Sequence, residues 1–248
     1  MRNIIAIPAR YASTRLPHKP LQELGGQPLI LRTLQQAQKA KLAEAVFVVT
    51  DDQRIVDAVK PHHENIILSQ REFKSGTDRI ADALLPLNAE YILNLQVDEP
   101  FIDPLDLDAI FDALQNPQVD IATLKAEIKN PEDLHDPNVV KVVCRDNQEA
   151  LYFSRAAIPH KQNCNPCGQI WYKHIGVYGY QAKALEKFCS LPPHPLEESE
   201  KLEQLRALAA GLNIVCLETR GTHLGIDTQE DLNRAKEIVD KFGEKAFP

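Results

Sequence analysis

The sequence is poor in glycine and lacks the glycine motifs that usually bind phosphates. It has 10 glycines among 248 residues, and neither G-x-x-x-x-G-K-[ST] nor G-x-G-x-x-G occurs anywhere in it. Those motifs bring backbone N–H groups close to phosphate oxygens. G-x-S-x-G, the nucleophile elbow of α/β-hydrolases, is also absent. A phosphate ligand of this chain would therefore have to be bound mainly by charged side chains.

Long apolar runs and an excess of positive charge are missing too. No run approaches the roughly 20 apolar residues of a membrane helix, and 35 acidic against 28 basic side chains give a net charge of −7. A net acidic chain disfavours general binding to nucleic acids or membrane surfaces. No signal-peptide pattern precedes the first strand-like segment. We expect no nucleic-acid partner, no membrane partner and a cytoplasmic location.

Cysteine is scarce and irregularly spaced. The five cysteines are an odd number, which favours a reduced chain. Cys164 and Cys167 form one C-x-x-C, but no second pair completes a zinc site, and the pair does not open a helix after a strand. A zinc or redox protein centred on this pair is an alternative with little support in the pattern.

Strand-length apolar runs alternate with helical patterns through the first half of the chain. The predicted strands are 3–7, 45–50, 65–69 and 91–96, and the predicted helices are 28–40, 52–60 and 77–85. This order predicts a Rossmann-like α/β domain with a parallel sheet and right-handed crossovers. Further strands are predicted at 120–128, 138–144, 149–154, 171–180 and 213–218, and further helices at 196–211, ended by Gly211, and 228–242. We expect one domain over 1–248 with an inserted smaller antiparallel subdomain.

Charged residues cluster where the predicted parallel strands end, which is where ligands bind in such sheets. The first strand is followed by Arg10, Arg15 and Lys19, whose guanidinium and ammonium groups suit phosphate oxygens. A solvated surface loop is the alternative. Asp51-Asp52 and Asp98-Glu99 follow two other strands. The pattern predicts an anionic ligand at this edge of the sheet.

Two acidic residues are candidates for a magnesium site. Asp98 follows a buried strand in "QVDEP", and Asp227 precedes the last helix in "GIDTQEDL". Carboxylates at the end of a strand, opposite a phosphate loop, are typical Mg²⁺ ligands. An acidic turn closed by Pro100 and a helix-capping turn are the alternatives. The sequence alone does not establish that Asp98 and Asp227 are neighbours.

Three further segments contain candidate binding residues. "SGTDR" (75–79) is either a plain helix start capped by Thr77 or a turn whose amides and Arg79 read a base. "YFSR" (152–155) and "YKHIGVYGY" (172–180) place Arg155, Lys173, His174 and Tyr178 on or beside strands. Their combination suits an anionic, hydroxyl-rich ligand, although single His and Tyr residues on strands are usually structural.

Together these segments resemble one family. "IPARYASTRLPHKPL", "SGTDRIADAL", "NLQVDEPFI", "YKHIGVYGY" and "GIDTQEDL" follow each other as in the CMP-Kdo synthetases, the 3-deoxy-manno-octulosonate (Kdo) cytidylyltransferases. The resemblance implies a nucleotidyltransferase-type fold and transfer of CMP from CTP to the anomeric hydroxyl of Kdo. Pyrophosphate would leave, Mg²⁺ would be the cofactor, and the product would serve lipopolysaccharide biosynthesis. It also implies a cytoplasmic homodimer, with 120–180 as a sugar-binding and dimerisation subdomain.

The resemblance also implies roles for individual residues. Catalysis would depend on Arg10, Lys19, Asp98 and Asp227, and Mg²⁺ would be bound by Asp98 and Asp227. The nucleotide would be bound by Arg10, Ser13, Arg15, Lys19, Ser75, Gly76 and Arg79, with Arg79 reading cytosine. Kdo would be bound by Gln96, Arg155, His174, Tyr178, Glu203 and Gln204, with Arg155 a candidate for its carboxylate.

Two residues depart from the family pattern. His18 stands where the family usually has the glycine of "RLPGKPL", and Val97 where it has the glycine of "NVQGDEP". Val97 should cost little if its backbone has ordinary strand angles and should displace Asp98 otherwise. His18 should either face water or add a donor near the triphosphate. These departures leave two alternatives open: a related sugar acid such as 8-amino-Kdo as substrate, and a catalytically silent binding protein.

Overall fold

The computed structural model describes residues 1–13, 15–73, 75–160, 170–221 and 223–248. The strands within these ranges are β1 (Asn3–Ala9), β2 (Glu23–Leu24), β3 (Gln27–Pro28), β4 (Ala45–Thr50), β5 (Ile66–Leu68), β6 (Tyr91–Asn94), β7 (Ile121–Glu127), β8 (Lys141–Cys144), β9 (Ala150–Ser154), β10 (Tyr172–Gln181) and β11 (Ile214–Glu218). The helices are α1 (Leu29–Lys39), α2 (Gln53–Val59), α3 (Gly76–Leu84), α4 (Pro104–Leu114), α5 (Pro131–His135), α6 (Ala182–Ser190), α7 (Pro195–Glu200), α8 (Gln204–Ala209) and α9 (Gln229–Phe242).

The main sheet has the strand order β11-β7-β10-β6-β1-β4-β5. Every neighbouring pair along this path is parallel except for the two pairs that β10 makes with β7 and β6. β8 pairs antiparallel with β10 and β9, so the antiparallel part of the fold comes from the 120–180 region and extends the same sheet. β2 and β3 form a separate hairpin. The predicted fold class, a mostly parallel sheet flanked by helices, is confirmed.

β1 lies between β6 and β4 in the parallel part of the sheet. The sheet separates two hydrophobic cores, and β1 contributes side chains to both. Its side chains alternate between the two faces of the sheet, as the two-residue period of a strand requires. Ile5 and Ile7 belong to the core beneath α1, α4 and α9, whereas Ile4 and Ala6 belong to the core beneath α3, α6 and α8. The continuous apolar run at 3–7 is thus the signature of a strand buried on both faces.

The predicted helix 196–211 is wrong as a single element. The chain forms α7 and α8 instead, separated at Lys201, which has a left-handed φ of 54°. Tertiary contacts outweigh the helical pattern here, because the Glu200 carboxylate accepts hydrogen bonds from the Ser154 hydroxyl at 2.6 Å and from the Arg155 N–H at 2.9 Å. Gly211, with φ of 74°, follows the end of α8 as expected.

Three further helices of the described residues, α4, α5 and α6, lie in segments for which no helix was predicted. α4 does have a start signal, since the Asp103 side chain caps it and Pro104 is its first residue. The Cys164–Cys167 pair lies outside the described residues, and the other three cysteines are free thiols. Within the described ranges, no helix combines the length and the apolar character needed to cross a membrane.

Candidate active site

The Lys19 ammonium lies between the two predicted metal-binding carboxylates. Its Nζ is 2.7 Å from Asp98 Oδ2 and 2.6 Å from Asp227 Oδ1. Asp227 also pairs with Arg15, whose Nη1 is 3.2 Å from Oδ2. Asp98 and Asp227, 129 positions apart by their numbers in the chain, therefore face one cation.

Three different elements bring these groups together. Lys19 opens a 3₁₀ turn after β1, and Asp98 lies four residues beyond the last residue of β6, the parallel neighbour of β1. Asp227 immediately precedes Thr228, the N-cap of α9, and the Ile226 N–H donates to the Asp98 carbonyl at 2.9 Å. The carboxyl edge of the sheet therefore forms the site, as the topology rule for such sheets requires.

The two carboxylates differ in their electrostatic surroundings. Burial raises the pKa of Asp98 above its ordinary value, and although Lys19 opposes this, the nearby charges of Asp227 and Glu99 add to it. For Asp227, burial is outweighed by the hydrogen bond and charge of Lys19 and by Arg15, so its pKa is lowered. Burial likewise opposes the charged form of Lys19, but the two carboxylates prevail and raise its pKa. The ammonium is therefore charged, and Asp98 is the carboxylate that depends most on a nearby cation.

The other two cations of the loop after β1, Arg10 and Arg15, have different partners. The Arg15 side chain is 63% exposed, and its Nη1 pairs with Asp227. Arg10 Nη2 donates to the Phe73 carbonyl at 3.3 Å, which connects this loop with the segment before α3. Ser13 lies on the same loop and is partly buried. The predicted cluster of positive charge is thus present beside the carboxylates.

Arg79 has structural partners at both ends of its guanidinium. Nη1 donates to the Ser69 carbonyl at 3.0 Å and Nη2 pairs with Asp51 Oδ2 at 3.0 Å, while Nε has no hydrogen-bond partner among the described residues. Ser75 is the N-cap of α3 and Gly76 is its first residue. A capped helix start is therefore confirmed, but Thr77 is wrong as the cap because it lies inside α3. Cytosine recognition by Arg79 stays a prediction.

Three of the residues predicted to bind sugar lie around one small cavity. Tyr178, Glu203 and Gln204 line it together with Tyr180 and Phe188, and its volume is about 20 Å³. A cavity of this size holds about one water molecule. The structure thus brings these three residues together, but the space between them is far smaller than a sugar acid.

Two neighbouring polar groups connect this cavity with the rest of the site. The His174 ring lies 5.2 Å from the Tyr178 ring between centroids, and its Nε2 is 3.0 Å from Thr123 Oγ1. Burial lowers the pKa of His174 to about 3, so the imidazole is neutral. Gln96 Nε2 donates to Asn94 Oδ1 at 2.7 Å, and Asn94 pairs with Tyr178 in the sheet.

Arg155 is placed differently from the other predicted sugar-binding residues. Its Nε donates to the Glu200 carbonyl at 2.7 Å and its Nη1 to the Pro137 carbonyl at 2.8 Å. The bond to Glu200 joins the end of β9 to the break between α7 and α8. The guanidinium therefore has a structural function in this structure, and its binding of a sugar carboxylate stays a prediction.

The two departures from the family pattern behave differently. Val97 is buried, its carbonyl accepts from Thr33 Oγ1 at 2.7 Å, and it is not among the described non-glycine residues with positive φ. His18, by contrast, has a left-handed φ of 55°. Its exposed ring lies against the Tyr11 ring at a tilt of 30°, with centroids 4.2 Å apart, and the Arg54 guanidinium lies 3.4 Å from the Tyr11 centroid. Val97 thus costs little, whereas His18 occupies a backbone conformation that favours glycine.

One buried cluster beside the site was missed in the sequence. His223 lies between Glu99 and Asp106, and Thr219 contacts both Asp106 and the imidazole. His223 precedes the "GID" of the Asp227 turn by two residues, but nothing in its spacing indicates that Glu99 or Asp106 is near. Only the folded chain brings these residues together.

The donor set around Asp98 suits a hard divalent cation. Two carboxylates already share a cationic group there, and oxygen atoms are the ligands that Mg²⁺ prefers. Within the described residues, no group of three or more His, Cys, Asp or Glu side chains could hold a metal ion. Mg²⁺ commonly takes one or two carboxylates and completes its shell with substrate phosphates and water, so the residues present fit a metal that binds together with a phosphate ligand.

The sequence is similar to those of known cytidylyltransferases. Residues 4–214 match the family model for cytidylyltransferases. The 3-deoxy-manno-octulosonate cytidylyltransferase of Flavobacterium johnsoniae is 44% identical over 242 residues, which cover 96% of this chain and 99% of the relative. The enzyme of the same name from Chloroherpeton thalassium is 43% identical over 244 residues, with 97% and 99% covered.

Solved structures show the same relationship. A CMP:2-keto-3-deoxy-manno-octonic acid synthetase complexed with CTP superposes with a TM-score of 0.91 and 35% identity, over 97% of this chain and 99% of that one. A 4-diphosphocytidyl-2C-methyl-D-erythritol synthase from Anaerococcus prevotii shares only the fold, with a TM-score of 0.63 and 18% identity over 96% of each chain.

Proposed function

The chain belongs to the cytidylyltransferase family, among the 3-deoxy-manno-octulosonate cytidylyltransferases, and on this premise we propose that it transfers CMP from CTP to Kdo. The products are CMP-Kdo and pyrophosphate. The observation that carries the proposal is the Lys19 ammonium held between Asp98 and Asp227 at the carboxyl edge of the sheet. The relatives at 42–45% identity bear the name of this activity.

The reaction needs an anomeric hydroxyl to attack the α-phosphorus in line with the departing pyrophosphate. The hydroxyl oxygen forms the new P–O bond and loses its proton, and the bond to the β-phosphate oxygen breaks. Such a transfer asks little covalent chemistry of a protein, since positioning and neutralisation of charge supply most of the rate enhancement. Arg10, Arg15 and Lys19 lie where they would neutralise the triphosphate and the leaving pyrophosphate.

We propose Mg²⁺ as the cofactor, bound by Asp98 and Asp227. When bound, Mg²⁺ supplies Lewis-acid polarisation of a phosphoryl oxygen and favours the deprotonated hydroxyl. The protein's part is to keep Asp227 ionised through Lys19 and Arg15 and to hold Asp98 beside it. The raised pKa of Asp98 is consistent with a carboxylate that is incompletely neutralised until another cation arrives.

Sugar binding is proposed for the surface around Gln96, His174, Tyr178, Glu203 and Gln204. Burial keeps His174 neutral and raises the pKa of Tyr178 well above its ordinary value, so both offer uncharged hydrogen-bonding groups. Neutral donors and acceptors suit sugar hydroxyls. Because the cavity there has only about 20 Å³, sugar binding requires these side chains to move apart.

The test is pyrophosphate release from CTP in the presence of Mg²⁺ and a panel of sugar acids. We expect release with Kdo, and loss of release in Asp98→Asn and Asp227→Asn, while Asp112→Asn, an exposed carboxylate of α4, remains active. Release with 8-amino-Kdo and not with Kdo would replace the proposed substrate. CTP binding by calorimetry without release for any sugar would identify a silent binding protein and overturn the proposal.

We also propose that the chain acts as a cytoplasmic homodimer in lipopolysaccharide biosynthesis, with the 120–180 segment at the contact between subunits. Leu151 and Ile170, in this part of the chain, are large apolar side chains with 50% and 46% of their surface exposed, which a second subunit would cover. Sedimentation velocity tests the dimer. Leu151→Asp should shift the protein toward the monomer, and a wild-type protein of 27.9 kDa in solution would contradict the proposal.

A further inference from the structure

His223 lies at the point where the two carboxylate-bearing segments of the site meet. Its side chain is 1% exposed, with Nδ1 3.6 Å from Glu99 Oε2 and Nε2 3.4 Å from Asp106 Oδ2. The Thr219 hydroxyl contacts both the imidazole and Asp106. One imidazole thus faces two carboxylates from two different parts of the chain.

These contacts join the connection between β11 and α9 to the segment after β6. Glu99 follows Asp98 directly, and His223 precedes Asp227 by four residues. Asp106 lies in the first turn of α4 and accepts from the Arg220 N–H at 3.1 Å. These contacts therefore add to the hydrogen bond from the Ile226 N–H to the Asp98 carbonyl in holding the two segments together.

The imidazole supplies the positive charge that faces these two carboxylates. Its Nδ1 has no hydrogen-bond partner among the described residues, so Glu99 acts on it by charge across 3.6 Å. Burial disfavours the imidazolium, but the interactions with Asp106 and Glu99 outweigh burial and raise the pKa of His223 to about 9. One imidazolium here offsets part of the charge of two carboxylates, one of which directly follows Asp98. Without it, Glu99 and Asp106 would be left without a cation inside the protein, and such groups tend to move apart or toward water.

We propose that His223 is a positioning residue for the proposed transfer reaction, which fixes the Asp227 segment against the Asp98 segment so that both carboxylates face one cation. The inference rests on the proposed function for its kinetic consequences and on the geometry of the cluster for its structural ones. His223 is too deeply buried to contact a substrate itself. Its effect reaches the reacting groups through Glu99 and through the chain between His223 and Asp227.

A positioning role predicts that cation binding and turnover fail together while the triphosphate contacts remain. Residues that orient metal ligands typically change metal affinity or activity by about 10–100-fold when they are replaced. For His223→Gln we expect kcat to fall at least about tenfold and the Mn²⁺ dissociation constant, followed by the EPR signal of free Mn²⁺ in the presence of CTP, to rise about tenfold. The KM for CTP should stay within about threefold, because Arg10 and Arg15 are untouched.

Asp106→Asn and Asp108→Asn provide a matched pair of control variants on α4. Both are buried, but Asp106 faces His223, whereas Asp108 accepts from the Lys41 and Leu42 N–H groups at 3.2 and 2.8 Å, away from the cluster. Asp106→Asn should reproduce the losses of kcat and Mn²⁺ affinity. Asp108→Asn should lower thermal stability and leave kcat and Mn²⁺ affinity unchanged. It therefore serves as the control for a substitution that affects stability alone.

Several outcomes would overturn the inference. A folded His223→Gln protein with wild-type kcat and Mn²⁺ affinity would do so, as would a rise in KM for CTP with kcat unchanged. If His223→Gln does not fold, Asp106→Asn with unaltered Mn²⁺ affinity would overturn it instead, and so would a wild-type protein that binds no Mn²⁺ with CTP. A wild-type protein that binds Mn²⁺ but releases no pyrophosphate would overturn the proposed function; weaker Mn²⁺ binding in His223→Gln would then still support the positioning role, and unchanged binding would overturn it too.

Discussion

Lys19 is the residue on which the geometry of the site depends most. Its side chain is only 15% exposed, and it is the shared partner of Asp98 and Asp227. Partly buried ion pairs of this kind add little to stability as pairs, but removing one partner leaves the other charges uncompensated. The sequence indicated each of these three residues separately. It could not indicate that they meet, because their approach results from the parallel order of strands that are distant in the chain.

Replacing Lys19 by methionine keeps an unbranched side chain, one atom shorter, and removes its charge. We expect Lys19→Met to lower kcat/KM for CTP by at least about a hundredfold, since both the proposed triphosphate contact and the neutralisation of Asp98 and Asp227 are lost. Steady-state pyrophosphate release measures this. Lys39→Met is the matched control, because Lys39 is exposed and its Nζ donates to the Pro248 carbonyl, outside the site. Equal loss in both variants would contradict the role of Lys19.

His18 tests whether the backbone after β1 requires a glycine-like residue. At a φ of 55°, glycine avoids the strain that a Cβ causes, so His18→Gly should be more stable than His18→Ala by about 1 kcal/mol. Urea unfolding measures the difference. At His62, where φ is not positive, the same two substitutions should give the opposite order. If alanine is as stable as glycine at position 18, the strain at this position is absent.

At the scale of elements, the site consists of strand ends and helix starts. α9 begins with a capping box in which the Thr228 hydroxyl accepts from the Asp231 N–H and the Asp231 carboxylate accepts from the Thr228 N–H at 2.9 Å. The same carboxylate accepts from the Asp227 N–H at 3.2 Å. The sequence predicted this helix start correctly and the capping interpretation is confirmed, whereas the functional interpretation of Asp227 stays a prediction.

Removing the cap should therefore affect both stability and turnover. Thr228→Ala should lower the free energy of unfolding by about 1 kcal/mol, the usual cost of a lost N-cap, and should lower kcat because Asp227 is held less firmly. Thr228→Ser keeps the hydroxyl and should behave as the wild type. Chemical denaturation and pyrophosphate release measure the two effects. A loss of stability with unchanged kcat would show that the cap does not position Asp227.

The break between α7 and α8 shows why element boundaries were harder to predict than element types. The residues 196–211 have a helical pattern throughout, and nothing local in them forces a left-handed Lys201. The break follows from contacts of Glu200 with Ser154, the last residue of β9, and with Arg155, which follows it. Local pattern predicts what a segment can form, whereas distant contacts decide where it ends.

At the scale of the whole molecule, the fold could be predicted well from the sequence because its strands are buried on both faces. Continuous apolar runs such as 3–7 and 45–50 identify such strands, and their alternation with helices defines the parallel topology. The polar clusters could not be predicted in the same way. Asp106 and His223 carry no periodic signal, and Arg155 could not be recognised as a bridge between β9 and the α7–α8 break.

The buried His223 cluster predicts a pH dependence of stability. Its pKa of about 9 in the folded protein lies above the ordinary value of 6.5, so the folded state binds the proton more tightly than the unfolded state. The stabilisation, on the order of 3 kcal/mol, is complete below about pH 6.5 and is lost as the pH rises through 9. Urea unfolding from pH 6 to 10 should show this loss in the wild type and a flatter profile in His223→Gln. Parallel profiles would contradict the assignment.

The most direct measurement of the central claim is ³¹P NMR of the protein with CTP, Kdo and Mg²⁺. We predict that the three CTP signals are replaced by one phosphodiester signal of a CMP-sugar and by the signal of pyrophosphate, with the two products in equimolar amounts. Asp98→Asn should leave the CTP signals unchanged. Pyrophosphate without a CMP-sugar signal, or equal conversion by the Asp98→Asn protein, would contradict the account.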